Sequence, residues 1–247
     1  MGFLTIYLSI TIIISLLIFY ILSKQKNIET SKYKILKFVS LITVFLHYSS
    51  LWVDFFKNGE AMIGKEQLLP IYPCHIIMWT LVIIAFYKNK ESKIYKILTE
   101  FAFYAGTVCA IIGIILNENF LEANGVYDYG VIKGLLSHST LLFGTLMLFV
   151  FRFFKVSVIN NTVNTVIGLL LLIVDGLIIN FLFWMFELEA VNAMYLLNPP
   201  FENLPFINVF TIGAAGVLVV FIISSILEII MYDKTERTLK ILRGGIK

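Results

Sequence analysis

The chain has 247 residues, of which 59% are hydrophobic and only 14% charged, with a mean hydropathy of +0.90. A soluble domain carries about a quarter charged residues, so this composition excludes an ordinary water-soluble fold and reads as an integral membrane protein. The net charge of +3 does not argue for nucleic acid, because the basic residues gather in short segments between apolar runs.

A membrane-spanning helix needs about 20 mostly apolar residues. Seven segments meet or approach that length, at 3–22, 38–55, 73–87, 94–116, 134–151, 162–184 and 206–231. The expected fold is all-α. It is a single polytopic membrane domain over 1–247, a bundle of about seven transmembrane helices, with a short basic tail at 232–247. The first segment has no basic residue before it, and its first lysine, Lys24, follows the apolar run. It therefore reads as a retained helix and not as a cleavable signal.

Lysine and arginine set orientation, because they accumulate on the cytoplasmic side. Segments 23–37, 88–96, 152–161 and the C-terminal tail hold five, four, two and five of them; the intervening loops 56–72, 117–133 and 185–205 hold two, one and none. The alternation predicts seven spans, with the N-terminus outside and the C-terminus inside. The tail "DKTERTLKILRGGIK" then meets anionic lipid, at about 1 kcal/mol for each basic residue.

The third segment opens with "LLPIYPCHIIMW". Proline is favoured at the first position of a helix, where its missing N–H costs nothing. Pro73 fits that position and Pro70 fits an extended approach. A helix over 73–87 spans about 22 Å, shorter than a hydrocarbon layer of about 30 Å. Its start is therefore expected below the outer surface, and 68–72 dips in as irregular backbone. Cys74 then falls at the second helical residue, at the positive end of the helix dipole, a setting that activates thiols. His75 is turned about 100° from it, so a base for Cys74 must come from another helix. The competing reading is that Pro73 kinks a longer helix and Cys74 only packs. The two cysteines, Cys74 and Cys109, read as separate thiols, since nothing in their spacing demands a bridge.

Orientation selects which polar residues share the outer half. His138 lies about one turn into the fifth segment, Asp54 at the outer edge of the second, and Asn117 at the outer end of the fourth. Asn192 and Asn198 lie in the loop before the last. Cys74, His75, His138, Asp54, Asn117 and Asn192 are thus expected around one outward-facing cavity. Cys74 and His138 are the catalytic candidates, and His75, Asp54, Asn117 and Asn192 the supporting ones. Ionisable residues inside membranes are functional by default, although a lone histidine often only hydrogen-bonds a neighbouring helix. His47 and Asp54 read as structural or interfacial. Glu100 and Asp175 lie deeper, apart from this group. No ligand spacing points to a metal, and no motif calls for a cofactor.

"LPIYPCH", the histidine of "LSHSTLL" and "NAMYLLNPP" together resemble the YwaF-like integral membrane proteins, from about the second helix to the seventh. That family has bacterial members and a mammalian acyltransferase that moves acyl chains between phospholipids through a cysteine. The resemblance implies a catalytic role for Cys74 and His138, and a motif role for Asn192. It also implies a multi-pass protein of the bacterial cell membrane, with phospholipid or lysophospholipid as substrate. The sequence departs from the pattern at Ala193, where an aromatic is expected, and at His75. Three readings follow: a thiol-dependent lipid acyltransferase or hydrolase of the outer leaflet, a transporter or binding protein using His47, Glu100 and Asp175, and a scaffold without chemistry.

Overall fold

A computed structural model describes residues 2–25, 27–59, 69–117, 127–188, 191–200, 205–206 and 208–232. They form seven α-helices: α1 (Gly2–Ser23), α2 (Ile28–Asn58), α3 (Pro73–Phe86), α4 (Lys93–Ile115), α5 (Tyr129–Val150), α6 (Val158–Met185) and α7 (Val209–Met231). A single 3-10 turn (Ala193–Tyr195) precedes α7. No strand occurs among the described residues. In lipid a helix satisfies its own backbone polar groups, which an open strand cannot do. All but α3 are long and apolar enough to cross a membrane; α3, with 14 residues, falls short.

The helix ends follow local chemistry. Asp128 caps α5 by accepting from the Gly130 N–H at 2.8 Å. Asn208 caps α7 in a reciprocal box with Thr211. Gly59 ends α2 with φ at +76°, the left-handed conformation that glycine adopts most readily. The largest departure from the sequence reading is at α2, which begins at Ile28 and not near residue 38. Hydropathy registers only the apolar stretch. The added turns carry Lys32, Lys34 and Lys37, which a helix can project sideways without breaking its backbone bonds. The basic tail lies outside the described residues.

The chain divides into two compact units, residues 1–88 with 106–153 and residues 89–105 with 154–247. In the first, α2 packs on α3 and α5, and α1 and α3 also pack on α5. Leu36, Ile77, Leu81, Ile84, Leu142 and Leu148 are among its fully buried apolar residues. Phe19 stacks on Phe143 at 4.6 Å and meets Phe151 edge-on at 5.7 Å. Lys32 is buried, donates to the Phe151 carbonyl at 3.1 Å and pairs with Glu29 at 2.6 Å. It thus sets a cation at the C-terminal end of α5, where the helix dipole is negative.

In the second unit α6 packs on α7 and on the turn at 193–195. Asn180 clasps that turn. It donates to the Ala193 carbonyl at 3.3 Å and accepts the Ala193 N–H at 2.9 Å. Gly176 leaves room for Met194 and Leu196 beside it; an added Cβ would meet them at 2.7–2.9 Å. Ile13 and Leu17 of α1 and Leu170, Leu171 and Val174 of α6 are exposed. Apolar exposure on this scale is foreign to soluble monomers and is what lipid covers.

Candidate functional site

Residues 69–72 are non-helical, and Tyr72 is extended, with φ −108° and ψ 152°. Pro73 is the first helical residue and Cys74 the second, as the two prolines predict. Tyr72 provides no side-chain cap. The His75 N–H returns to the Tyr72 carbonyl at 3.0 Å, closing the first turn of α3 around Cys74. Cys74 and Cys109 are both half-buried thiols, and no disulfide joins them.

Cys74, His75, His138 and Asn117 all belong to the first unit, and α4 is the surface on which they gather. A Cβ on Gly106 would meet Ile77 of α3 at 2.6 Å and Thr145 of α5 at 2.7 Å. Cys109 lies within electrostatic reach of Cys74. A Cβ on Gly113 would overlap Cδ2 and Nε2 of His138 and come within 2.9 Å of its Cε1. Positions 106, 109 and 113 are spaced three and four residues apart, so they form one stripe of a helix. Ile77 of α3 and the His138 ring thus meet the same face of α4, about two turns apart along it, ~10 Å.

His138 is oriented by its own helix. Its Nδ1 is 2.8 Å from the Gly134 carbonyl, which can only accept, so Nδ1 carries the proton. Nε2 is left as the basic nitrogen. The same Gly134 admits Asn117, whose buried amide would lie 2.9 Å from a Cβ placed there. Asn117 therefore backs the turn that holds His138.

His75 is 8% exposed, its Nδ1 has no hydrogen-bond partner among the described residues, and the Leu69 backbone lies within hydrogen-bond reach of its ring. Its ring lies 4.4 Å from that of His47 and 5.4 Å from that of Tyr72. His47, His138 and Lys133 all lie within its electrostatic reach. His47 was not expected in this group. With 31 residues, α2 is about 46 Å long and overshoots the hydrocarbon. Depth counted from a short apolar core therefore misplaces His47, which in fact sits level with the start of α3. The usable signal was the lysine-bearing helical stretch before residue 38.

Asp54 lies on α2, and its side chain is outside the described residues. Asn192 is in the second unit, where its side chain braces its own loop. It donates to the Asn198 carbonyl at 2.9 Å and accepts from the N–H groups of Leu197 and Asn198 at 3.0 and 3.2 Å. The turn it precedes has positive φ at Met194 and Tyr195, so the "NAMYLL" motif encodes a tight loop. Glu100 and Asp175 are also in the second unit. No group of three or more His, Cys, Asp and Glu side chains among the described residues has the geometry to hold a metal ion.

A family model, described as the TMEM164 family, matches residues 2–227. No curated protein and no solved structure matches the chain.

Proposed function

The chain belongs to the TMEM164 family and is a multi-pass membrane protein, and on that premise we propose that it is a thiol-dependent lipid acyltransferase or hydrolase working in the outer leaflet, of YwaF-like character. The observation that carries this reading is the position of Cys74, second residue of a short helix behind Pro73, in the unit that also holds His138. A helix start favours the anionic form of a thiol, and His138 has its basic Nε2 available by virtue of the Gly134 bond.

The chemistry follows from those two groups. The Cys74 sulfur attacks the carbonyl carbon of a fatty-acyl ester, and its proton passes to Nε2 of His138. The N–H groups at the start of α3 are suited to hold the oxyanion. The carbon–oxygen bond then breaks, and the imidazolium returns its proton to the leaving alcohol, a lysophospholipid. The acyl group remains on Cys74 as a thioester. A second alcohol, or water, gives its proton to His138 and attacks the thioester, and the thiol is regenerated. A second lysophospholipid makes the enzyme a transferase, and water makes it a hydrolase. His75 and His47 form the polar wall beside Cys74.

The test is an acyl-exchange assay in liposomes, with purified protein and a phospholipid carrying a labelled acyl chain. Cys74→Ser abolishes exchange, and His138→Ala lowers it by about 10²–10⁴-fold, while Cys109→Ser leaves it near the wild-type rate. Full exchange by Cys74→Ser would remove the thiol from the mechanism.

A further inference from the structure

The second unit buries a carboxylate that the proposed chemistry does not use. Glu100 of α4 is 4% exposed. It is the eighth residue of α4, about 10 Å from that end of the helix, and Oε2 accepts from the Asn164 amide of α6 at 2.9 Å. Around it runs a chain of hydrogen bonds across three helices. Ser224 of α7 donates to the Tyr104 hydroxyl at 2.7 Å. Tyr104 donates to Oδ1 of Asn161 at 3.2 Å, and that oxygen also takes the Ser157 N–H at 2.8 Å.

Two features of this network call for a positive charge. Asn164 offers Glu100 a neutral N–H, which does not cancel a carboxylate in a membrane interior. The basic residue one turn away, Lys96, lies within electrostatic reach of Glu100 but makes its ion pair with Glu91 at 3.5 Å. Thr165 is the second feature. It follows Asn164 on α6 and lies one turn from both Asn161 and Gly168, which meet Tyr104 and Phe101 of α4. It is thus aimed at the stretch of α4 that holds Glu100. It is 2% exposed, and its hydroxyl has no hydrogen-bond partner among the described residues. Buried hydroxyls are nearly always satisfied, and a ligand at this oxygen would complete it.

We propose that the Glu100 carboxylate and the Thr165 hydroxyl, beside the Asn164 amide, form an intramembrane site for a monovalent alkali cation. One carboxylate beside a neutral hydroxyl balances a single positive charge. A divalent ion such as calcium takes 6–8 oxygens, several of them carboxylate, and this donor set does not supply them. Tyr104, Asn161 and Ser224 hold the frame across the three helices. The other ionisable groups near the network are Lys96 and Tyr104 on α4 and Glu228, one turn beyond Ser224 on α7. The site lies wholly in the second unit and stands or falls independently of Cys74.

Dicyclohexylcarbodiimide tests it, because this apolar reagent modifies protonated carboxyls buried in membranes. Full-length protein is treated in mildly acidic buffer with sodium chloride or with choline chloride at equal ionic strength, and the modified peptide is read by mass spectrometry. Sodium slows modification of Glu100 at least about tenfold relative to choline. Thr165→Val raises the half-protecting sodium concentration by roughly tenfold or more, the scale expected for loss of a supporting group at a metal site. Equal rates in sodium and choline overturn the proposal, leaving a proton-binding carboxyl only. Sodium protection unchanged in Thr165→Val removes the threonine from the site. A Glu100 that resists the reagent in every salt also overturns it, as a carboxyl closed to ligands.

Discussion

Gly113→Ala isolates the placement of His138. The added methyl would overlap Cδ2 and Nε2 of His138 and lie 2.9 Å from Cε1. Carbon atoms in contact settle at about 3.5–4.0 Å, so the ring must retreat by ~1 Å or give up its bond to Gly134. Overpacking of this kind costs about 1–3 kcal/mol in stability. The gain in helix propensity from glycine to alanine returns about 1 kcal/mol, so the net loss is about 0–2 kcal/mol. A displacement of ~1 Å at a catalytic group costs about 10²-fold in rate. The variant is thus expected to remain folded and to lose most of its acyl exchange. Melting in detergent and liposome exchange, run on the same preparation, read the two effects. Gly213→Ala is the control, since nothing lies within 4 Å of a Cβ there. A Gly113→Ala protein that exchanges acyl chains within about twofold of wild type, the scatter expected of a neutral substitution, would refute the placement of His138 as the base.

Asn180→Ala removes both bonds to Ala193 and costs about 1–3 kcal/mol, the desolvation of buried groups left unpaired; limited proteolysis at 191–200 becomes faster in the variant, and unchanged cleavage would mean the clasp is idle. Lys32→Met withdraws the cation from the end of α5 and lowers stability by about 1–2 kcal/mol, read by thermal melting. Tags on the two ends report opposite sides of the membrane when probed from outside, as seven spans require, and tags on one side would mean that α3 does not cross.

The helix inventory was legible because lipid imposes a simple rule on the sequence, that backbone polar groups be satisfied within apolar runs of sufficient length. Prolines 70 and 73 gave the start of α3 to the residue, since their ring geometry acts locally. The stretch 28–37 was missed because its lysines lower hydropathy while leaving the helical backbone intact. That omission displaced His47 in depth and hid its pairing with His75. Asn192 carried a motif signal, yet its hydrogen bonds serve the loop 192–198. A short pattern cannot separate a residue that shapes a turn from one that meets a substrate. The glycines at 106 and 113 were equally silent. Their meaning lies in which neighbours approach them, and that is set by packing between helices distant in sequence.

The most direct measurement is the chemical state of Cys74 after exposure to substrate. Purified full-length protein is incubated with phospholipid bearing a labelled acyl chain and no acceptor, then digested and examined by mass spectrometry. The account predicts the acyl mass on the Cys74 peptide, released by neutral hydroxylamine as a thioester and formed far more slowly in His138→Ala. Acyl exchange proceeding with the label on Cys109, or on neither cysteine, would contradict it.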